Sequence, residues 1–456
     1  MKLTEKYNVV YFVGIGGIGM SALARYFKAS NVRVLGYDKT STVLTGKLEE
    51  EGMEITFEDE ISAAIQALDK ESTLVIYTPA IKSLQILDYF EKSGFEVIKR
   101  AKALGLITKA TESLAIAGTH GKTTTSTLVA HLCKEADLPF SCFLGGISEN
   151  FKSNFYYNGD QISVVEADEF DRSFLSLSPD WAIITSNDAD HLDIYGDRKA
   201  MEQGFCEFAK LLANDKQLFV RKGVEIDRDC LRYAVNEKAD FYSDDLRIKE
   251  GLMHFDFHHK EQSWSFSWSI PGTHNVENAT AAIALLSSMG VDMEVLQRGL
   301  LSFKGIKRRY TLTHFASGKH YIDDYAHHPT ELNAVLSSIR TFYPDKKLLV
   351  VFQPHLYSRT RDFEFEFAKS LENSDSLIVL DIYPAREKAE DFPGVSSKTL
   401  LDKIPHLDKQ NCSLEEALEI IKTKEFDILV TVGAGNIDRL FDPITKWMAL
   451  ENPANT

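Results

Sequence analysis

Basic residues are in short supply. The 456-residue chain has 51 Lys and Arg against 67 Asp and Glu, a formal charge of −16. A nucleic-acid binder normally carries a broad basic face, so that class is excluded. Anionic ligands must be met locally, by single Lys and Arg side chains and by helix termini. Cysteine is also sparse: Cys133, Cys142, Cys206, Cys230 and Cys412 stand apart without Cys-x-x-Cys spacing. An odd, scattered set excludes a disulfide framework and a zinc site and fits free thiols in a reducing compartment. Long apolar runs are missing. No stretch approaches the roughly twenty apolar residues that cross a bilayer, and the N-terminal apolar segment is interrupted by glycines with no small-residue cleavage site after it. The expectation is a cytoplasmic protein with neither membrane nor nucleic acid as partner. What is present is ordinary for a globular chain, 44% hydrophobic and 26% charged, and the length calls for about three domains.

The chain is organised around residues 113–127, SLAIAGTHGKTTTST. An apolar run predicts a short buried strand, broken at Gly118 and restarting as a helix that carries Gly121, Lys122, Thr123, Thr124 and Thr125. Strand, glycine turn and a helix opening on Lys-Thr form a phosphate cradle. Backbone N–H groups and the helix N-terminus meet the phosphates, Lys122 neutralises them, and the Thr123 hydroxyl can ligate Mg²⁺. In the usual G-x-x-x-x-G-K-[ST] loop the first glycine would fall at Ile116, so the match is imperfect.

Upstream, residues 9–13 predict a strand that ends in Gly14, Ile15, Gly16, Gly17, Ile18 and Gly19. A helix, a strand over 32–37 and Asp38 follow. This is the dinucleotide fingerprint, and its glycines let a backbone approach the diphosphate of either NAD or a UDP-sugar. Further strands near 74–77 and 97–98 follow, with Thr78 just past a strand end, where open α/β sheets bind ligands. The first domain should span 1–107.

A second domain, 108–305, opens with the phosphate loop. A strand over 161–165 delivers Glu166-Ala167-Asp168-Glu169, which is either a solvated turn or a source of hard oxygen ligands for Mg²⁺. A strand over 181–185 leads into the Asn-, Asp- and His-rich run 187–193, where His191 fits metal ligation or proton transfer. A helix is predicted over 198–214. Alternation across 215–269 predicts antiparallel strands, with His258-His259 as a solvated turn. His274, Asn275 and Asn278 precede a small-residue helix over 279–289; they could cap it or hold a base edge. Another helix is predicted over 292–303.

The third domain, 306–456, begins beside Lys307-Arg308-Arg309, either solvated or a phosphate contact. A hairpin turning at Ser317-Gly318 delivers Asp324-Tyr325-Ala326-His327-His328, with Pro329 starting a helix. Strands over 347–352, 377–381 and 427–432 each end in a polar cluster: Gln353 to Arg361, Tyr383-Pro384-Ala385-Arg386-Glu387, and Gly433-Ala434-Gly435-Asn436. Ser413 with Glu416 marks a capping box for a helix over 414–424. Several successive strands ending in polar clusters make one sheet edge a binding face.

Taken together, GIGGIGM at 14–20, GTHGKTT at 118–124, Glu166-Ala167-Asp168-Glu169, the 187–193 run, His274-Asn275 with Asn278, and DYAHHP at 324–329 resemble the ATP-dependent Mur ligases along the whole chain. The phosphate loop and acidic motifs are common to the family. Phe352-Gln353-Pro354-His355, Ser358-Arg359-Thr360-Arg361 and Tyr383-Pro384-Ala385 look like its alanine-adding branch; the branch that recycles murein tripeptide differs in that segment and is the alternative. The resemblance implies an α/β chain of three domains: a Rossmann-like UDP-binding domain, a P-loop ATPase-like centre and a Rossmann-like C-terminal domain. It implies ATP and two Mg²⁺ ions as cofactors, UDP-N-acetylmuramate and L-alanine as substrates, and an acyl-phosphate route in cytoplasmic peptidoglycan precursor synthesis. A monomer or weak homodimer is expected.

The family likeness also assigns roles. Gly118, Thr119, His120, Gly121, Lys122, Thr123 and Thr124 would hold the ATP phosphates, with His274, Asn275 and Asn278 on the adenine side and Arg309 and Asp324 at the phosphates. Thr123, Glu166 and His191 would ligate metal. The 14–19 loop, Asp38 and Thr78 would hold the UDP-sugar, and Tyr325, His327 and Arg359 the alanine; Lys122, Glu166, His191 and Arg359 would carry the chemistry. Two departures stand out. Leu356 occupies a position where some members have arginine, leaving any carboxylate clamp to Arg359. Phe205-Cys206 lie where sister ligases carry a modified lysine, so no carbamylation is expected. An NAD-dependent dehydrogenase, the other reading of the glycine fingerprint, would have no use for the phosphate loop.

Overall fold

The computed structural model describes residues 2–79, 81, 83–187, 198–385, 387–405 and 408–450. They divide into two compact units. One comprises Met1–Leu246, Phe255–Trp268 and Glu277–Lys304, the other Arg247–His254, Ser269–Val276 and Gly305–Thr456.

In the first unit, β1 (Val9–Val13), β2 (Arg33–Tyr37), β3 (Glu54–Thr56), β4 (Thr73–Tyr77) and β5 (Glu96–Lys99) form a parallel sheet ordered β3-β2-β1-β4-β5. Chain progression reverses across β1 and β4, so the carboxyl end of β1 opens at a switch point, and the helix Ile18–Ala29 starts there. Alternation sorts the strand residues: Val10 and Phe12 pack into one core with Leu23 and Phe27, Tyr11 and Val13 into another with Val75 and Phe90. β3 and the helix Val43–Glu50 are short, weakly apolar elements that periodicity did not predict.

The larger sheet contains β6 (Glu112–Ala117), β7 (Phe140–Ser148), β8 (Ser153–Tyr157), β9 (Ile162–Glu166), β10 (Trp181–Ile184), β11 (Leu218–Arg221), β12 (Leu231–Val235), β13 (Phe241–Lys249), β14 (Leu252–His259) and β15 (Gln262–Trp268). Their order is β15-β14-β13-β12-β11-β10-β6-β9-β7-β8. β6 lies between β10 and β9, parallel to both, which puts the phosphate turn and the ends of β9 and β10 side by side. β7 and β8 form an antiparallel hairpin whose register shifts between Phe143 and Ser148. The predicted antiparallel arrangement of 215–269 needs correction in its first part, because β11, β12 and β13 pair in parallel, as β11 does with β10. Alternation reports which side is buried, not which way a neighbour runs. His258 and His259 likewise end β14 instead of forming a turn; their rings stack on Tyr242 and Phe241 at 4.5 and 4.1 Å.

In the second unit, β16 (Thr311–His314), β17 (His320–Asp324), β18 (Leu348–Phe352), β19 (Ser376–Leu380), β20 (Asp408–Cys412) and β21 (Ile428–Val432) are ordered β16-β17-β21-β18-β19-β20. Only the β16–β17 hairpin is antiparallel among the described pairings. Val350, Phe352, Val430 and Val432 fill one face, Leu349, Val351 and Leu429 the other. The capping box forms as expected: the Glu416 N–H donates to the Ser413 hydroxyl, and the Glu416 carboxylate accepts the Ser413 N–H. No helix among the described residues is long and apolar enough to cross a membrane.

Candidate active site

Ala117 ends β6, and Gly118 turns the chain at φ +135°. A side chain there would collide with the Thr185 hydroxyl and the Ser186 backbone. Hydrogen bonds fasten the turn to the end of β10. The Ser186 hydroxyl accepts from the His120 N–H at 2.8 Å and lies 2.9 Å from the Thr119 hydroxyl, while the Thr119 N–H donates to the Ser186 carbonyl. Gly121, at φ +81°, then caps the helix Lys122–Glu135. A left-handed conformation costs any other residue about 1–2 kcal/mol, and a Cβ there would lie 2.6 Å from the Asn278 amide oxygen. The two glycines thus form a turn three residues apart, which is how this loop dispenses with a glycine at Ile116.

Lys122 folds back over the turn. Its ammonium donates to the Gly118 carbonyl at 2.5 Å and pairs with Glu169 at 2.8 Å. Burial alone would push its pKa down; Glu169, Glu166 and Asp168 outweigh that and hold it above the ordinary value, so the ammonium stays charged. Glu169, fully buried, was quoted in the acidic motif but given no role; its pairing depends on the tertiary fold. Glu166 ends β9. Its Oε1 accepts from the Thr123 hydroxyl and its Oε2 from the Gly145 N–H, both at 3.0 Å. A carboxylate and a hydroxyl converging beside a phosphate turn are hard oxygen donors suited to Mg²⁺. His191, with residues 188–193 of its run, lies outside the described residues. Among the described residues no group of three or more His, Cys, Asp or Glu is arranged to hold a metal.

At the other binding loop, the N–H groups of Gly14 and Ile15 donate to the Tyr37 carbonyl. The Asp38 carboxylate accepts the Gly16 N–H at 2.7 Å and the Thr40 N–H at 3.2 Å. Asp38 therefore braces the glycine loop. A Cβ on Gly14 would meet the Thr78 methyl at 2.6 Å, so Thr78 flanks the loop as expected. The Ile15 side chain is fully buried and packs over Gly36, while its N–H is held by Tyr37. Gly17 caps the helix from Ile18.

The helix Thr273–Ser288 begins six residues before the predicted start at 279. His274 and Asn275 thus sit on its first turn, with the Asn275 amide donating to the Pro271 carbonyl at 2.6 Å. Burial lowers the pKa of His274 to about 4, against an opposing pull from Glu331. At the sheet edge, Asp324 accepts the Tyr310 and Ala326 N–H groups at 2.6 and 2.7 Å. Burial raises its carboxyl to about 6, with Arg309 opposing. Arg308 and Arg309 lie against the Tyr325 ring at 5.2 and 5.1 Å. His327 Nδ1 faces the Tyr325 carbonyl at 3.1 Å and Glu331 at 3.3 Å. Burial lowers its pKa despite Glu331. Both neighbours of Nδ1 are acceptors, so the proton belongs on Nδ1 and Nε2 keeps its lone pair. The His355 ring lies 5.9 Å from that of His327 and 3.5 Å from the Arg359 guanidinium, and Tyr383 stacks on it at 5.7 Å. The predicted polar clusters after β17, β18 and β19 therefore converge. Gln353 is committed internally, joining Asn436 and the Ile437 N–H.

A glycine loop braced by Asp38, a Lys-Thr turn with a carboxylate beside it, and a cationic, histidine-rich edge on a separate Rossmann-like sheet fit an ATP-dependent ligase. Family models match in series: Mur ligase family, catalytic domain, over 9–112; Mur ligase middle domain over 116–286; and Mur ligase, glutamate ligase domain, over 308–435. The chain belongs to the Mur ligase family. Among relatives, it is 47% identical over 455 residues to a UDP-N-acetylmuramate--L-alanine ligase of Christiangramia forsetii, spanning 99% of this chain and 100% of that one. The crystal structure of UDP-N-acetylmuramate-alanine ligase MurC from Thermotoga maritima superposes with a TM-score of 0.82 at 26% identity, covering 96% of this chain and 99% of the other. A murein peptide ligase from Psychrobacter arcticus shares the fold at a TM-score of 0.69 and 22% identity, covering 97% and 98%.

Proposed function

We propose that this chain joins L-alanine to the lactyl carboxylate of UDP-N-acetylmuramate at the expense of ATP, forming the first peptide bond on the cytoplasmic peptidoglycan precursor. The observation that carries the substrate assignment is the full-length 47% identity to a protein of that name. The phosphate turn supports the use of ATP but is indifferent to the acceptor. In this reading residues 1–107 hold the UDP-sugar, 108–305 the ATP and 306–456 the amino acid.

The lactyl carboxylate attacks the γ-phosphorus, ADP departs, and an acyl phosphate forms; the alanine amine then attacks the acyl carbon and phosphate leaves. Two anions must meet in the first step, so neutralising charge is the main catalytic demand. Lys122, kept charged by its carboxylate neighbours, supplies a fixed cation at the β- and γ-phosphates. Mg²⁺ held by Thr123 and Glu166, with His191 assigned to a second ion, would neutralise the remaining phosphate charge. Asn278 lies against the phosphate turn and is assigned, with His274 and Asn275, to the adenine side; Arg309, steadied by the Asp324 turn, is assigned to the phosphates. Arg359 pairs with the alanine carboxylate. Nε2 of His327 is assigned to receive the proton that the alanine ammonium must lose before it can attack.

The test is phosphate release with UDP-N-acetylmuramate, ATP and Mg²⁺, comparing L-alanine, glycine, L-serine and the murein tripeptide. Release that depends on L-alanine is the expected result. Release with the tripeptide and not with alanine would move the assignment to the recycling branch.

A further inference from the structure

The β7–β8 hairpin, which no sequence signal marked, touches both halves of the proposed reaction centre. Near one end of it, the Gly145 N–H donates to Glu166 Oε2 at 3.0 Å. The fit is close enough that a Cβ on Gly145 would overlap that carboxylate. On the partner strand, Asn154 is fully buried. Its amide nitrogen donates to the Ile18 carbonyl at 2.6 Å and lies 3.0 Å from the Ser21 hydroxyl; both acceptors sit on the first turn of the helix that follows the glycine loop. Its amide oxygen accepts from Arg25 of that same helix. Arg25 is itself 7% exposed and held by Glu51 through paired contacts at 2.8 Å. One side chain therefore uses both ends of its amide on the glycine-loop helix while riding on the hairpin that fixes the Glu166 carboxylate. Apolar contacts follow the same seam: the Phe143 ring of β7 meets Tyr26 of the helix at 5.5 Å.

We propose that Asn154 is a positioning residue for ligation, setting the UDP-sugar loop against the carboxylate and phosphate turn of the ATP site. It touches neither substrate. The argument rests on need. In-line attack by a carboxylate carried on one loop upon a phosphate held by another demands alignment to within a fraction of an ångström. A misplacement of about 1 Å can cost on the order of 100-fold in rate. Among the described polar ties along this seam, that of Asn154 has no solvent exposure. The Arg100–Asp168 pair also crosses it, at 3.6 Å, but with side chains 21% and 40% exposed, where a salt bridge holds geometry weakly. A buried amide that uses its donors and its acceptor together fixes orientation as well as distance.

This inference rests on the ligase reading above, and the wild-type chain separates the two. If it releases no phosphate in the presence of L-alanine, the ligase reading fails before Asn154 is tested. The experiment compares full-length Asn154→Ala and Asn154→Asp with wild type. It measures the affinity for UDP-N-acetylmuramate without ATP, the affinity for ADP without sugar, and kcat at saturating substrates. Asn154→Asp keeps an acceptor for Arg25 and loses the N–H donors to Ile18 and Ser21. The expected result is that kcat falls at least about tenfold in the alanine variant, less in the aspartate variant, while both separate affinities stay within about threefold of wild type. The proposal is overturned if kcat is unchanged. It is equally overturned if, in both variants, kcat falls only in proportion to lost affinity or lost folded protein, since a merely structural role would give that pattern.

Discussion

The Lys122–Glu169 pair shows how a single residue can serve both fold and function. Removing one partner of a buried ion pair leaves an uncompensated charge and costs about 3–5 kcal/mol. Lys122→Met should therefore lower the stability of the folded chain by about that amount in urea titrations and abolish ADP binding. Adding Glu169→Gln should restore most of the stability and none of the binding. A double mutant as unstable as Lys122→Met would break this account. His274 supplies a pH prediction. Its folded pKa of about 4 lies below the ordinary 6.5, so the unfolded chain takes up the proton first. Stability should fall as pH drops from 6.5 toward 4. Asp324 has the opposite sign: its carboxyl, raised to about 6 from 3.8, favours the folded state as pH drops from 6 toward 4. The two groups partly cancel in the wild-type chain. His274→Gln should make the loss of stability on acidification shallower over that window. If the mutant instead loses stability on acidification as steeply as wild type, His274 is not the group responsible.

At the scale of elements, the short turn from β6 into the helix Lys122–Glu135 makes the sharpest demand. Gly121→Ala places a methyl against the Asn278 amide and forces a left-handed backbone on alanine. Stability should drop by about 1–2 kcal/mol, and ADP affinity by more than about tenfold, equivalent to 1.4 kcal/mol. Calorimetric titration reads the second effect, and unchanged affinity would show that the turn tolerates reshaping. This element was legible in the sequence because a glycine that must turn and a lysine that must follow it are local requirements. The strands β1, β4 and β18 were legible for a similar reason, being largely apolar runs (VVYFV, TLVIY and LLVVF). The β7–β8 hairpin was not. Phe140–Ser148 contains two glycines at 145 and 146 and ends in polar residues, and its worth comes from Asn154 and Gly145 meeting partners far away in sequence. Parallel pairing of β11, β12 and β13 was hidden as well, since direction is chosen by connections and neighbours and leaves no periodic trace. Glu169, Thr185 and Ser186 were passed over because their partners are brought to them only by β6 pairing with β9 and β10.

Across the whole molecule, the proposed work divides between the two units. The residues proposed to contact nucleotide, Gly118 to Thr124 and Glu166, lie in the first, and the Tyr325, His327 and Arg359 cluster lies in the second. A ligand that binds the folded state stabilises it by RT ln(1 + [L]/Kd), about 2.7 kcal/mol at a hundredfold excess over Kd. ADP at that excess should raise the unfolding temperature of the wild-type chain, and the rise should vanish in Lys122→Met. Arg359→Ala should behave differently. The lost guanidinium neighbours His355 and is assigned to the amino acid, so the ADP-induced rise should persist at its wild-type size. Alanine-dependent phosphate release should then need a much higher alanine concentration, because the carboxylate has lost its one assigned cation; Leu356, at φ +70° where an arginine stands in some family members, offers no substitute. Conversely, an Arg359→Ala chain that lost the ADP response while keeping its alanine requirement would place Arg359 with the nucleotide, and the division of labour between the units would have to be redrawn. Calorimetry on the full chain with and without ADP, paired with phosphate release against alanine concentration, separates the two outcomes without cutting the protein.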